Sequence, residues 1–313
     1  MRRSLRSSIN TSGRSNVAPL AAEGYRVYAI DLVGFGSTDK PVMDYDSDAW
    51  SEQCAAFLRE VAGCGGATTE NGESSSPSSA SASASASANT KRALVAGNSI
   101  GGFTALALAA THPDLVSGVA SLNGAGRFAD PPEAAAAARA AEAAERERLE
   151  NDAFAKWVAE LKGGAAAAAQ RLVIGAAFVA TKQPARIQQV LRQVYPVFPS
   201  RCDDDLVASI EFPARDPNAP EVFYRIVKRN GNGPPREDRS IDALLSRLEC
   251  PLLLCWGESD PWIVSATADR VEQVCGALGV AARRVSIDAG HCPQDENPTA
   301  VNAALLEFAG ELY

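Results

Sequence analysis

Apolar positions change their period several times along the chain, and each change marks an element. Over Tyr25 to Leu32, YRVYAIDL, apolar and polar residues alternate and β-formers dominate. That pattern predicts a buried strand running into a sharp loop at Val33-Gly34-Phe35-Gly36, which Pro41 closes. From Ser47 to about Val61 the residues Trp50, Ala55, Phe57, Leu58 and Val61 recur at near-helical spacing. They predict a helix packed on a sheet, with Ser47 or Asp48 as its N-cap. RALVAGNS predicts a strand ending at Ser99, and Gly101-Gly102-Phe103 leads into an Ala/Leu helix that ends near His112-Pro113. Val116 to Leu122 is the next strand. Between about Phe128 and Leu248 alternation disappears and helical stretches take over, including an Ala/Glu/Arg-rich one from Pro132 to about Leu161. Beyond them Pro251 to Trp256 is a fully buried strand, Asp269 to Leu278 a helix, Arg283 to Ile287 a strand, and Thr299 to Leu312 a closing helix. Strand and helix alternate, so the expected fold is α/β, a mostly parallel sheet flanked by helices with a helical lid inserted at 128–248.

The halves of the core then fall at 16–127 and 249–313. Within the first half, Gly65 to Thr90 is a Ser/Ala/Gly tract with almost nothing to bury, and it is expected to be a disordered surface insertion. Residues 1–15 are expected to be unstructured or a targeting remnant. Met1 to Arg14 holds four arginines, several serines and no acid, the composition of an organellar transit peptide and equally of an arbitrary start to an incomplete chain.

Charge and cysteine usage narrow the partners. A net charge of −8 argues against a nucleic-acid surface, which needs clustered Lys and Arg in excess. No uncharged apolar run approaches the ~18 to 20 residues that span a bilayer, so no integral span is expected, and peripheral membrane contact stays open. Seven cysteines, an odd number without repeated C-x-x-C spacing, suggest neither a disulfide framework nor a zinc site. No metal or nucleotide motif is present, so no cofactor is expected. The Ala runs at 134–138 and 165–169 read as helix filler, and Arg225, Lys228 and Arg229 as a solvated basic face.

Candidate chemistry centres on Gly97-Asn98-Ser99-Ile100-Gly101, a G-x-S-x-G pattern preceded by a strand and followed by a helix. Such an elbow strains the nucleophile and leaves room only for glycine two residues to either side. A serine hydroxyl needs a base to take its proton. Of the two histidines, His112 lies at the far end of the helix that starts at Ser99, roughly fifteen ångströms or more away at about 1.5 Å per residue. His291, in Ala289-Gly290-His291-Cys292-Pro293, follows the last strand and shares the carboxyl-end rim with Ser99. Asp260, just past PLLLCW, is the best-placed carboxylate to orient the imidazole. Glu258 and Asp288 compete for that role, and Asn123, after the preceding strand, cannot fill it. Trp262 reads as a pocket wall.

YAIDLVGFGSTDKP, LVAGNSIGGFTALALAATHPDLV, PLLLCWGESDPW and AGHCPQDENP, with TKQPARIQQVLRQVYPV and DPNAPEVFYR in the lid, together resemble the plant and algal chlorophyll dephytylase and pheophytinase group of α/β hydrolases. The resemblance covers most of 16–313. It implies the α/β-hydrolase fold, Ser99, Asp260 and His291 as nucleophile, acid and base, and a small-molecule substrate that is a bulky apolar carboxylic ester, such as the phytyl ester of a chlorophyll pigment, in a chloroplast. In that group, strands ending in a His-Gly loop precede the strand placed at Tyr25. The sequence shows no counterpart, so the first core strands are expected to be missing. The backbone N–H of Ile100 is then the one remaining oxyanion-hole donor, and loss of the other is expected to cost ~10² to 10³ in turnover. A serine at the elbow argues against the dehalogenase and epoxide hydrolase relatives, which place an aspartate there. The competing readings are an unspecific esterase, a cofactor-free haloperoxidase-like enzyme, or a catalytically impaired homologue acting as a binding protein.

Overall fold

The computed structural model describes residues 13–65, 91–151, 153–231 and 236–313. The expected Ser/Ala insertion, apart from Gly65, lies outside them, as do residues 1–12 of the expected targeting remnant.

Along the described chain come α1 (Val17–Ala22), α2 (Ser47–Glu60), β1 (Ala93–Asn98), α3 (Ile100–Thr111), β2 (Val116–Leu122), α4 (Pro132–Asn151), α5 (Ala153–Thr181), α6 (Pro184–Val194), α7 (Asp204–Ala214), α8 (Ala219–Gly231), α9 (Ile241–Leu245), β3 (Leu252–Gly257), α10 (Ser265–Leu278), β4 (Ala282–Ile287), α11 (Pro293–Glu296) and α12 (Pro298–Leu312). The four strands form one parallel sheet in the order β1-β2-β3-β4. Each sheet face is covered by helices, as a parallel sheet requires. On one side Leu58 of α2, Leu106 and Leu108 of α3, Leu244 of α9 and Val271 of α10 pack on Leu252 and Leu254. On the other, Val301, Leu305 and Phe308 of α12 pack on Leu253, Cys255 and Ile287, with Leu20 of α1 alongside. Helices α4 to α8 all fall between β2 and the final β3-α10-β4 unit.

Tyr25 to Leu32 departs from the expected buried strand, because it pairs with no strand among the described residues and none of its side chains is buried. Side chains of α2 hold it instead. Gln53 accepts from the Val33 N–H at 2.8 Å and donates to the Asp31 carbonyl at 3.1 Å, the Trp50 indole donates to the Val33 carbonyl at 3.0 Å, and Tyr28 meets Phe57 edge-on at 5.3 Å. Alternation reports two environments for successive side chains; it does not report a ladder partner. The outer edge of β1 is served by the Tyr313 hydroxyl, which accepts from the Leu94 N–H at 2.9 Å and lies 3.1 Å from the Arg92 carbonyl.

The N-cap of α2 is Asp46, whose carboxylate accepts from the Ala49 N–H at 3.1 Å, one residue ahead of the predicted pair. Arg14 and Ser15 are not loose: Arg14 binds Asp295 at 2.7 Å, both Asp203 oxygens and the Arg201 carbonyl, and Arg201 donates to Ser15 Oγ at 2.6 Å. In α5, Lys162–Thr181 is 20 residues long with mean hydropathy 1.4 and no buried residue, long and apolar enough by length and composition to cross a membrane. A search for uncharged runs misses it because Arg171 interrupts the apolar stretch.

Candidate active site

Strand β1 ends where α3 begins, and Ser99 occupies the join with φ 53° and ψ −118°. A residue with a Cβ is strained there. The tight packing that the sequence predicts is real at Gly97, where a Cβ would lie 2.2 Å from the Gly101 carbonyl group. At Gly101 itself a Cβ would meet nothing within 4 Å; the crowded partner is Gly102, 2.9 Å from the Gly124 Cα and the Gly97 carbonyl. The elbow is pinned by its backbone. Ser99 N–H donates to the Leu122 carbonyl at 3.1 Å, and its own carbonyl accepts from Ala125 at 2.9 Å and Phe103 at 3.2 Å. Ile100, at the first position of α3, presents its N–H at a helix N-terminus, where backbone donors lack intrahelical partners.

His291 sits in the loop after β4, buried to 5% exposure. Asn98, the residue before Ser99, donates from its amide to the His291 carbonyl at 2.7 Å and to the Leu122 carbonyl at 2.9 Å, tying the histidine loop to the elbow. The His291 N–H reaches the Val194 carbonyl at 3.0 Å at the end of α6. Glu296, 2% exposed, accepts from the Gly290 N–H at 2.5 Å and from the Val197 and Phe198 N–H groups at 2.8 Å.

The imidazole has chosen its carboxylate. His291 Nδ1 lies 2.8 Å from Asp260 Oδ2, both buried. Glu258 is engaged by Ser265, Ser286 and Arg284, and Asp288 is exposed. Asp260 also accepts from the Trp262 N–H at 2.7 Å, the Ile263 N–H at 3.1 Å and the Asn123 side-chain amide at 2.8 Å. Burial by itself would raise this carboxyl, but the hydrogen bonds from His291, Trp262 and Ile263 outweigh it and hold Asp260 below its ordinary value. The Trp262 ring stands 4.9 Å from the imidazole, centroid to centroid. Neighbouring Cys292 is no rival nucleophile, since burial pushes its thiol up to about 12.

Ser99 and His291 share one rim, yet no hydrogen bond joins Ser99 Oγ to the imidazole or to another described residue. Nucleophile–base contacts of this kind tighten when substrate binds. His112 is remote, as expected, and contacts Glu52 at 3.0 Å and Arg59 at 3.4 Å. Among the described residues no group of His, Cys, Asp or Glu could hold a metal ion.

Three contributors are not evident from the sequence. Asn98 and Glu296 fix the histidine loop. Asn123, fully buried at φ 42°, accepts from the Gly257 N–H at 2.7 Å while donating to the Gly257 carbonyl at 3.1 Å and to Asp260. Its place directly after β2 is the one signal of that role.

A family model described as alpha/beta hydrolase fold matches residues 10–298. Pheophytinase, chloroplastic, of Arabidopsis thaliana is 26% identical over 278 residues, covering 86% of this chain and 46% of that protein. A 2-hydroxy-6-oxo-6-(2'-aminophenyl)hexa-2,4-dienoic acid hydrolase of Metapseudomonas resinovorans is 30% identical over 111 residues, 36% of this chain and 29% of its own. The chain thus spans less than half the length of these curated relatives. Among solved structures, a meta-cleavage product hydrolase of Pseudomonas fluorescens superposes with a TM-score of 0.62 at 18% identity, covering 98% of this chain and 86% of that one. An esterase of Thermogutta terrifontis gives 0.59 at 18%, covering 96% and 85%. At these identities the structural likenesses speak for the fold.

Proposed function

The chain belongs to the α/β-hydrolase fold family, and from that premise we propose that it is a serine hydrolase of carboxylic esters in which Ser99 is nucleophile, His291 base and Asp260 the orienting acid. The observation that carries this reading is the buried His291–Asp260 pair at 2.8 Å, roped by Asn98 to the elbow that strains Ser99. Asp260 accepts a hydrogen bond from the Nδ1–H and so keeps Nε2 free to accept the proton of Ser99 Oγ as that oxygen attacks the ester carbonyl carbon. The carbonyl oxygen, now negative, accepts a hydrogen bond from the Ile100 N–H. Collapse expels the alcohol, which takes the proton from His291 Nε2. Water, deprotonated by the same nitrogen, then releases the acid from the acyl-enzyme and restores Ser99.

The helical segment 128–248 acts as the lid in this reading, and the core halves are 16–127 and 249–313. The substrate class is a bulky apolar ester such as the phytyl ester of a chlorophyll pigment, acted on in a chloroplast; the pheophytinase relative supports both. The experiment is hydrolysis of a nitrophenyl ester series and of a phytylated pigment by the chain and by Ser99→Ala. Ester turnover lost in Ser99→Ala supports the mechanism, and turnover that survives the substitution refutes it. Pigment turnover at background with short esters cleaved would refute the substrate class alone.

A further inference from the structure

The two sides of α5 have opposite character. On one side Phe178 packs on α8, its ring 5.3 Å from that of Phe223, and Arg171 binds Glu221 at 3.1 Å and lies 4.8 Å from the centre of the Tyr224 ring. Ala167 and Ile174 share that side by helical spacing and are partly buried. The other side repeats as Ala165, Ala169, Leu172, Val173, Ala176 and Ala180, all exposed, with Leu172 at 75% and Val173 at 69%. No polar residue falls in this row, and Lys162 heads it. Twenty residues of helix are about 30 Å long, and a continuous exposed apolar strip of that length marks a surface that something else covers.

Charge decides what covers it. From Lys162 to Arg192 the sequence holds Lys162, Arg171, Lys182, Arg186 and Arg192 and no acid, in a chain whose net charge is −8. Of these, Arg171 alone has a carboxylate partner among the described residues. A second copy laid along the strip would set Lys162 against Lys162 or against Lys182, and like charges so placed oppose the pairing. A surface that is anionic outside and apolar within meets both features. Lysines at the two ends of the strip reach its phosphates while the Ala/Leu/Val row enters the acyl boundary. Arg171 and Glu221 keep the other side of α5 charged, so the helix lies along such a surface and does not cross it.

We propose that the exposed side of α5 docks the protein on an anionic lipid bilayer, from which the apolar ester reaches the elbow. A cavity of about 590 Å³ is lined by Ile100 and Phe103 beside Ser99 and by Arg171 and Tyr224 behind the strip. Helix α5 therefore has one side for the lipid and contributes to the wall of this cavity from the other. A long hydrocarbon chain leaves the bilayer close to the nucleophile and is spared most of the cost of crossing water. The use of the surface rests on the serine-esterase reading; the binding itself does not.

The test is sedimentation of the full chain with large unilamellar vesicles of phosphatidylcholine and phosphatidylglycerol in equal parts, and of phosphatidylcholine alone. Ser99→Ala is the background throughout, so that no lipid is cleaved. Partition is expected to be at least about tenfold stronger on the anionic vesicles. There it should fall about tenfold or more in Leu172→Gln with Val173→Gln, which removes apolar contact, and in Lys162→Gln with Lys182→Gln, which removes charge. Leu172 and Val173 are exposed and glutamine is a good helix former, so the melting temperature should stay unchanged. Absence of sedimentation, or equal partition of the apolar variant and its parent, overturns the docking surface. Dimers in sedimentation velocity that the apolar variant abolishes, without vesicle binding, overturn it in favour of a second copy. Hydrolysis of nitrophenyl butyrate in solution by the unsubstituted chain is the separate check. Cleavage without vesicle binding fails the surface alone, whereas vesicle binding without any cleavage fails the esterase reading alone.

Discussion

Replacing Asn123 by alanine probes how the acid of the site is held. Asn123 is fully buried, and its amide closes a two-bond clasp on Gly257, accepting at 2.7 Å and donating at 3.1 Å, while also donating to Asp260 at 2.8 Å. In Asn123→Ala the Gly257 N–H is left buried and unpaired, at a cost of about 1–3 kcal/mol, and the Asp260 carboxylate loses one charge-assisted bond worth about 1.5–3 kcal/mol. The backbone there is left-handed, φ 42°, which asparagine tolerates and alanine resists by roughly 1 kcal/mol. All three effects act in the same direction, and a loss of about 3 kcal/mol or more is expected. Urea denaturation measures it as a lower midpoint at unchanged slope, with ester turnover falling in parallel because Asp260 is freed to turn from His291. Asn123→Asp keeps the size but sets a second carboxylate against Asp260, and is expected to weaken the fold at neutral pH and recover as pH falls. A midpoint corresponding to less than about 0.5 kcal/mol of loss in Asn123→Ala would refute the clasp as a stabilising element.

Four further outcomes follow from the same contacts. Asp260→Asn is expected to cut turnover by about 10⁴, while Asp288→Asn leaves it unchanged; the reverse pattern in a nitrophenyl ester assay would reassign the acid. Because Asp260 is held below its ordinary 3.8, its ionised form adds stability above the unfolded value that is lost as pH falls through the folded one; melting between pH 7 and 3 is expected to decline less steeply in Asp260→Asn. Burial pushes Cys54, Cys202, Cys250 and Cys275 up to about 11 and Cys255 and Cys292 up to about 12, so a disulfide thiol reagent at pH 8 is expected to titrate these six only after denaturation. Shortening 66–90 to a few residues is expected to leave the melting temperature nearly unchanged, since Gly65 N–H already bonds the Lys91 carbonyl at 3.1 Å and closes the loop at its base; loss of cooperative melting would contradict this.

What can be read from the sequence is what is local. The elbow announces itself because only glycine fits at position 97, and PLLLCW reads as a strand because β3 is buried along its whole length. His291 is found by elimination from two histidines. The contacts that make a site of these pieces are long-range and polar, and no period records them. Asn98 reaches His291 across 193 positions, and Asn123 reaches Asp260 across 137. Tyr25 to Leu32 fails for the opposite reason, because its pattern is local while its neighbours are α2 side chains and not a strand.

The central claim is that Ser99 is activated by His291 under the control of Asp260, and a fluorophosphonate probe tests it most directly, because the reagent phosphonylates an activated serine whatever ester the protein prefers. Intact mass and peptide mapping should show one adduct per chain, on Ser99, absent in Ser99→Ala and His291→Ala and formed orders of magnitude more slowly in Asp260→Asn. Folded protein that takes up no probe, or that labels on Ser99 as quickly without His291 as with it, would contradict the account.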